Sequence, residues 1–170
     1  MLNAQRYDMA IDSILYKQVM RRFATGVMVL TVRDGENFHA VTVNSVTSVS
    51  LAPILLLVCL EKNARSHRLL HEAQTFALNI LSDAQMDLGK SLAYDRVARS
   101  TPREQAAHRL SARGELWFDD ALAYLECRVT AEYEGGDHTI FLGEVVNAVL
   151  ANAAARPLIY FQGEWKKLSI

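Results

Sequence analysis

Residues 125–134 alternate strictly between apolar and polar side chains, and this run constrains the fold more than any other part of the chain. A period of two is typical of a β-strand with one face in the core and one face in water. The predicted apolar face carries Leu125, Cys127, Val129, Ala131 and Tyr133, and the predicted polar face carries Glu126, Arg128, Thr130, Glu132 and Glu134. Gly135 and Gly136 follow directly, and glycine readily adopts the positive φ angles that tight turns require. The sequence therefore predicts a β-hairpin whose second strand covers residues 139–150.

Short apolar segments separated by polar or glycine-containing breaks recur along the rest of the chain. They predict strands at 27–32, 38–45, 54–60, 76–81, 158–161 and 164–168. The uninterrupted apolar run 54–60 predicts a strand that is buried on both faces in the middle of the sheet. Helices are predicted at 12–22, 62–72 and 83–92, the last because Ser82 and Gln85 have the spacing of a capping box. Since strands and helices do not alternate as in parallel sheets, we expect a mainly β fold, a closed antiparallel barrel with a few peripheral α-helices.

Composition limits the domain count and the classes of partner. The chain has 170 residues, of which 51% are hydrophobic and 22% are charged, and this suits a single domain over residues 1–170. The formal net charge of −1 lacks the basic excess of nucleic-acid-binding domains, so no nucleic-acid partner is expected. The longest apolar run is too short to cross a bilayer, and the N-terminus has no signal-peptide pattern. A cytoplasmic protein without a membrane partner is therefore predicted.

Two stretches have the character of a small-molecule site. Asp137 and His138 lie on the glycine turn, where the imidazole can donate a hydrogen bond and a ligand can approach the backbone closely. The second stretch, Thr42 to Ser50, has six hydroxyl or amide side chains in nine residues. Its other interpretation, from composition alone, is a polar edge strand with a Ser/Thr turn.

Several common catalytic signatures are missing from the sequence. It has no G-x-G-x-x-G, P-loop, G-x-S-x-G or H-E-x-x-H motif, so any nucleotide cofactor must bind without a Rossmann unit. His67 and His71 have metal-ligand spacing on a predicted helix, but no third ligand is evident, and we assign no metal. Cys59 and Cys127 lie in apolar segments without a C-x-x-C pair, which favours inert core thiols over a redox or nucleophilic role.

Seven segments together identify a family resemblance. They are TGVMVLT (25–31), TVNSVTSVSLAP (42–53), VCLEKNARSH (58–67), FALNIL (76–81), LECRV (125–129), GDHTIFLGEV (136–145) and PLIYFQGEW (157–165). In this order they resemble the short-chain flavin reductases, the reductase components of two-component flavin-dependent monooxygenases. The resemblance covers about 23–168, leaves 1–12 as an N-terminal extension, and implies the FMN-binding split barrel, a closed antiparallel Greek-key fold.

The resemblance also implies which residues form the site. Cofactor binding is expected from Thr42, Asn44, Ser45, Ser48, Ser50, Cys59, Lys62, Asn63, Arg65, Ser66 and Tyr160. Lys62 and Arg65, beside the N-terminus of a helix, are expected to bind the flavin phosphate. His138 is expected to position the nicotinamide against the flavin with support from Asp137, because hydride transfer depends on positioning more than on acid–base chemistry.

The implied activity is that of an NAD(P)H:flavin oxidoreductase. It would reduce FMN or FAD with NADH or NADPH as a homodimer and supply reduced flavin to a partner monooxygenase. The alternatives are a split-barrel oxidase that retains its FMN and a flavin-binding or electron-carrier module without catalysis. Trp117 and Phe118 lie in the poorly patterned region after residue 93, and two roles are open for them, shielding of the flavin or packing at a dimer contact.

Overall fold

The computed structural model describes residues 11–168, so the first ten residues of the predicted N-terminal extension lie outside the described residues. The helices are α1 (Ser13–Met20), α2 (Arg65–Ala73), α3 (Met86–Tyr94) and α4 (Arg96–Ser100). The strands are β1 (Thr25–Gly26), β2 (Met28–Asp34), β3 (Asn37–Val43), β4 (Val46–Leu51), β5 (Ile54–Glu61), β6 (Thr75–Ile80), β7 (His108–Leu110), β8 (Leu116–Phe118), β9 (Ala123–Gly135), β10 (His138–Leu150), β11 (Leu158–Phe161) and β12 (Glu164–Lys167). None of the helices within residues 11–168 has the length and apolar character needed to cross a lipid bilayer.

The main sheet has seven strands in the order β3-β2-β6-β9-β10-β5-β4, and every pairing in it is antiparallel. Two smaller sheets have the orders β1-β11-β12 and β7-β8. The prediction of a mainly β protein with an antiparallel sheet and a few helices is confirmed. Only Asn44 and Ser45 separate β3 from β4, although these strands form opposite edges of the main sheet. Because β3 ends at Val43 and β4 begins at Val46, three residue steps later, the two ends lie at most about 11 Å apart. The sheet therefore curls until these edges approach each other, while hydrogen-bonded closure of the barrel stays a prediction.

The predicted hairpin forms, with thirteen residues in each strand. Burial differs from the predicted pattern at two positions, since Tyr133 is 56% exposed and Glu126 is only 1% exposed. Tyr133 lies near the tip of the hairpin, where its apolar face extends past the core. Glu126 lies on the same face as Tyr124, which packs against Trp117 of β8, so both faces of this part of β9 are covered.

The predictions for β5 and for the end of β3 are wrong in detail. β5 alternates between buried and partly exposed residues and lies second from the edge of the sheet, between β10 and β4. It is therefore buried on one face and is not the middle strand. The strand predicted over 38–45 ends at Val43, because the chain leaves that edge of the sheet at Asn44 and Ser45 to begin β4 at the other. β4 is an edge strand, as the alternative interpretation of the hydroxyl-rich stretch proposed.

Three helices contribute very differently to the core. α2 buries Leu69 and Leu70 against one face of the sheet, and α3 buries Leu88 and Leu92 in a second cluster. The helix predicted over 83–92 begins as a 3-10 turn, Asp83–Gln85, and the predicted contact of the capping box is present, since the Ser82 backbone N–H donates to Gln85 Oε1 at 3.2 Å. α1 buries no residue at all.

Trp117 and Phe118 belong to the interior of the protein. Phe118 is fully buried, and the Trp117 ring stacks on Tyr124 with a centroid distance of 4.6 Å and an interplanar angle of 5°. Burial within the chain's own core leaves neither ring available for a dimer contact.

Candidate active site

A cavity of about 740 Å³ lies between α1 and the β3–β4 junction. This volume is within the range of roughly 300–1,000 Å³ that is usual for small-molecule sites. Its walls come from α1, β1, the start of β4, β5 and β11, so they combine residues from both ends of the chain. The predicted site residues that line it are Asn44, Ser45, Cys59 and Tyr160. Neither Trp117 nor Phe118 lines this cavity, and their role as a flavin shield stays a prediction.

Hydrogen bonds hold the β3–β4 junction in place. Asn44 Nδ2 donates to Thr25 Oγ1 at 3.2 Å, and Ser45 Oγ donates to the Cys59 carbonyl at 2.8 Å. In return the Cys59 backbone N–H donates to the Ser45 carbonyl at 3.2 Å. The junction is thus tied to β1 and β5, and it presents amide and hydroxyl groups along one wall of the cavity.

Cys59 and Tyr160 form the less polar part of the same wall. Burial raises the pKa of the Cys59 thiol, so at neutral pH this side chain is a neutral contact surface. Tyr160 lies opposite Thr25 in the β1–β11 pair, and its ring meets Trp165 edge to face at 5.6 Å. Burial also raises the pKa of Cys127 to about 12, as expected for an inert core thiol.

The predicted Asp137–His138 turn forms at the tip of the β9–β10 hairpin. Gly136 has a φ of 76°, which favours glycine at that position. His138 Nδ1 lies 2.7 Å from Asp137 Oδ1, and the hydrogen bond from His138, together with the charge of its imidazole, lowers the pKa of Asp137. A carboxylate can only accept, so this contact places a proton on Nδ1 of His138. The turn does not line the cavity.

The strand register nevertheless links His138 to the cavity. His138 lies opposite Glu61, and Ile140 lies opposite Cys59, in the β5–β10 pair. Directly opposed residues share a face of the sheet, as do residues two apart on one strand. His138 therefore lies on the cavity face, about 7 Å along the strand direction from the Ile140–Cys59 pair.

The loop between β5 and α2 adjoins this turn. The Lys62 backbone N–H donates to the Asp137 carbonyl at 3.0 Å, and the Lys62 side chain forms an ion pair with Glu134. Arg65 forms an ion pair with Asp34. Ser66 is buried and Asn63 is exposed. None of these four predicted site residues lines the cavity, and both cations already have carboxylate partners.

Three other predicted site residues lie elsewhere. Thr42 lines a smaller cavity of about 180 Å³, and its hydroxyl donates to the Gly89 carbonyl at 2.7 Å. Ser48 is exposed on β4. Ser50 Oγ accepts from the Ala52 backbone N–H at 3.2 Å. The structure thus divides the predicted set into a cavity group, a group around the hairpin turn, and residues outside both.

The contribution of α1 to the cavity was missed from the sequence. Tyr16, Lys17 and Met20 of α1 line the cavity, and so do Arg21 and Phe23, which follow the helix. The helix was predicted over 12–22, whereas α1 ends at Met20. The available signal was the pair of i, i+4 spacings, Tyr16 with Met20 and Lys17 with Arg21, which lie side by side on one face.

The two histidines with metal-ligand spacing make other contacts. His67 Nε2 lies 2.8 Å from Thr139 Oγ1, and His71 Nδ1 lies 2.9 Å from Glu132 Oε2. Both contacts join α2 to the β9–β10 hairpin. Within residues 11–168 no group of three or more His, Cys, Asp or Glu residues is arranged to hold a metal ion.

Residues 20–169 match the sequence profile of the family described as "Flavin reductase like domain". The chain belongs to this family. The family's NADH-dependent FMN reductase AsuE2 of Streptomyces nodosus subsp. asukaensis is 39% identical over 154 residues, which cover 90% of this chain and 83% of the relative. The flavin reductase resemblance predicted from the seven segments is thereby confirmed.

Two further similarities agree with this family. The reductase component of 4-nitrophenol 4-monooxygenase/4-nitrocatechol 2-monooxygenase from Rhodococcus opacus is 34% identical over 156 residues, covering 91% of this chain and 80% of that protein. The solved structure of the Streptomyces globisporus NADH:FAD oxidoreductase SgcE6 in complex with NAD and FAD fragments has a TM-score of 0.85 and 35% identity, and the match covers 93% of each chain.

Proposed function

We propose that the protein is an NAD(P)H:flavin oxidoreductase that reduces FMN or FAD by hydride transfer and releases the reduced flavin to a partner monooxygenase. The observation that carries this proposal is the cavity at the β3–β4 junction, found in a chain of the flavin reductase family. Relatives that are NADH-dependent FMN reductases or monooxygenase reductase components support it.

The residues of the cavity fit a flavin ring. Asn44 and Ser45 offer amide and hydroxyl groups to the polar edge of an isoalloxazine, and Cys59 and Tyr160 offer a less polar surface for its face. A bound flavin supplies the hydride acceptor, and a bound dihydronicotinamide supplies the donor. The protein contributes binding and orientation, because hydride transfer needs the reacting atoms to be held roughly 3–3.5 Å apart.

His138 is our candidate for orienting the nicotinamide. Asp137 fixes one ring nitrogen of the imidazole, which leaves Nε2 for a ligand on the cavity face of β10. Lys62 holds the turn from the other side through its backbone N–H. The predicted role of Lys62 and Arg65 in phosphate binding stays a prediction. In the structure both side chains form ion pairs, with Glu134 and Asp34.

Several finer features belong to the same proposal. We infer one domain over residues 1–170, a closed Greek-key split barrel, a homodimer and a cytoplasmic location. The curled sheet and the short β3–β4 junction support the barrel. Exposed apolar side chains on and beside the edge strand β4 support a subunit contact, because Leu51 is 85% exposed and Ile54 is 52% exposed.

The central experiment measures NADH and NADPH consumption with FMN, FAD, riboflavin or no flavin. We expect consumption only when a flavin is present, with peroxide formed in air as free reduced flavin reoxidises. Tight flavin binding without consumption of either nicotinamide would indicate an electron carrier. Oxidation of a small substrate by retained FMN without a nicotinamide would indicate the split-barrel oxidase.

A variant at the hairpin turn tests the assigned role of His138. His138→Ala should leave flavin affinity and melting temperature nearly unchanged and should lower turnover, while His138→Asn should retain part of the activity because an amide keeps one hydrogen bond. His71→Ala is the matched control, since His71 contacts Glu132 away from the cavity. Lower thermal stability with normal turnover in His138→Ala would assign His138 to the hairpin structure alone.

A further inference from the structure

His67 of α2 contacts the strand that begins at the His138 turn. Its Nε2 lies 2.8 Å from Thr139 Oγ1, and its ring meets the Phe141 ring edge to face with a centroid distance of 5.2 Å. Thr139 is only 7% exposed and Phe141 is fully buried, so neither partner can shift without disturbing the packed core. The imidazole of His67 is therefore fixed by two contacts, and the function proposed above gives it no role.

Thr139 and His138 are neighbours in β10, so their side chains point to opposite faces of the sheet. His138 lies on the cavity face, whereas Thr139 lies on the face that α2 packs against, opposite Leu60 of β5. The contact with His67 thus fixes the start of β10 from the side away from the cavity. Because the backbone at this position sets the direction of the His138 side chain, a residue outside the cavity can determine where that imidazole points.

The turn is attached to the segment around α2 at a second point. The Lys62 backbone N–H, in the loop before α2, donates to the Asp137 carbonyl at 3.0 Å. His67, in the first turn of the helix, contacts Thr139. His138 therefore lies between two residues that are both attached to the same loop and helix.

The contact between His67 and Thr139 does not need a charge. Burial is the main cause that lowers the pKa of His67 from 6.5, so its imidazole is neutral at pH 7. A neutral imidazole has one N–H donor and one acceptor nitrogen, and a threonine hydroxyl can donate or accept. The contact can thus form with either tautomer of the ring.

We propose that His67 is a positioning residue for His138, because it holds Thr139 so that the His138 imidazole keeps the direction that orients the nicotinamide. The proposal rests on the flavin reductase function proposed above and extends it to a residue that acts only through His138. Positioning of this kind matters for hydride transfer, since a misplacement of about 1 Å can lower a rate by about a hundredfold.

His71 is the matched control on the same helix. It also joins α2 to the hairpin, with Nδ1 2.9 Å from Glu132 Oε2. Glu132 lies opposite Phe141, so this contact is made further along the hairpin than the His138 turn. Loss of the His71 contact should weaken the attachment of α2 to the hairpin without changing the direction of His138.

The first test measures amide hydrogen exchange at Lys62 in the protein without ligands, because this N–H reports whether the turn stays attached to the loop. His67→Ala and Thr139→Val should each raise its exchange rate by roughly twofold to tenfold, as expected for the loss of one net hydrogen bond. His71→Ala should leave the rate unchanged. An unchanged rate in both the His67 and the Thr139 variant would overturn the proposal, and this result does not depend on whether the protein reduces flavin.

The second test measures turnover with NADH and FMN. His67→Ala should lower kcat by roughly tenfold and keep the Kd for FMN within about twofold. His67→Gln should recover part of the activity, because its amide can still reach the Thr139 hydroxyl. In a protein that already carries His138→Ala, His67→Ala should cause no further loss, since the two residues act as a unit.

Other results of the turnover measurement overturn the proposal. Additive losses in the double variant, or an equal loss in His71→Ala, would show that His67 supports the hairpin in general. A raised Kd for FMN with a normal kcat would assign His67 to flavin binding. Normal turnover per folded molecule with a lower melting temperature would leave His67 a purely structural role. If the unmodified protein consumes neither NADH nor NADPH, the proposed function fails, and the exchange rate at Lys62 still decides whether His67 holds the turn.

Discussion

Helices α1 and α3 have nearly the same length, but they relate to the sheet in opposite ways. α3 buries Leu88, Gly89 and Leu92, and its two leucines belong to a core cluster, so its inner face packs against the rest of the protein. α1 buries nothing, and its inner face borders the cavity. An amphipathic helix can thus border a cavity instead of completing a core. Substitutions on the two helices should therefore separate stability from binding.

Replacing one leucine in each helix should give the largest difference, and it should appear in the free energy of unfolding. Leu92 is fully buried, and Leu92→Ala should lower the free energy of unfolding by about 2–5 kcal/mol through lost burial and a cavity. Leu15, on α1, is 51% exposed, and Leu15→Ala should lower it by less than about 0.5 kcal/mol. Urea denaturation of both variants checks this, and a large loss in Leu15→Ala would mean that another subunit covers α1.

The packed part of the molecule, which contains the buried His39, should also lose more stability in acid than the α1 region. Burial, reinforced by repulsion from Arg65, lowers the pKa of His39 from 6.5 to about 4, with smaller effects of Asp34 and Arg99. Between pH 6.5 and 4 the unfolded chain takes up a proton that folded His39 does not, so stability falls as pH is lowered. The full loss is about 3 kcal/mol.

The measurement for His39 is the free energy of unfolding as a function of pH. His39→Leu should flatten the part of the curve between pH 6.5 and 4. An identical slope in the His39 variant and the unmodified protein would show that other groups cause the acid sensitivity.

Substitution of two glycines, one in α3 and one in the cavity wall, should show the same difference between stability and ligand binding, with smaller effects. A Cβ at Gly89 of α3 would lie 2.9 Å from Trp165 Cζ3 and 3.2 Å from Leu81 Cδ1, so Gly89→Ala should cost about 1–2 kcal/mol despite better helix propensity. A Cβ at Gly26 would meet nothing within 4 Å, but Gly26 lines the cavity. Gly26→Ala should keep the melting temperature and weaken flavin binding. Thermal unfolding and flavin titration of both variants provide the test.

The smallest expected effect concerns single hydrogen-bonding groups in the cavity wall. Asn44→Ala should weaken flavin binding by about 1 kcal/mol, the value of one hydrogen bond. Ser50→Ala, from the same hydroxyl-rich stretch but outside the cavity, should bind flavin normally. If both variants bind flavin equally well, the wall acts through its backbone rather than through the Asn44 side chain.

Local patterns predicted the local structure well. The β9–β10 hairpin and the β11–β12 pair lie where the sequence places them, because alternation and turn residues such as Gly136 act over a few residues. Gln162 and Gly163 both have positive φ values, as a tight two-residue hairpin turn requires.

Long-range arrangement was the part that the sequence did not predict. The apolar run of β5 has the composition of a strand that is buried on both faces. Its position in the sheet depends on pairing with distant segments of the chain, and one of its faces borders the cavity. The same limit applies to the site. Asn44 and Ser45 were identified by composition and resemblance, whereas Lys17 belongs to a helix whose contact with the cavity depends on the whole fold.

The walls of the cavity combine segments that are far apart in the sequence, and this determines when the cavity can form during synthesis of the chain. Thr25 on one wall pairs with Tyr160, and Cys59 pairs with Ile140, so each wall joins segments that are made at very different times. Contacts between residues so distant in sequence form slowly, because the chain entropy of closing the intervening loop is lost before any contact is gained. We therefore expect a nascent chain that ends before β11 to contain much of the main sheet and no complete cavity. Ligand binding then marks the last stage of folding, and it begins only after almost the whole chain has been synthesised.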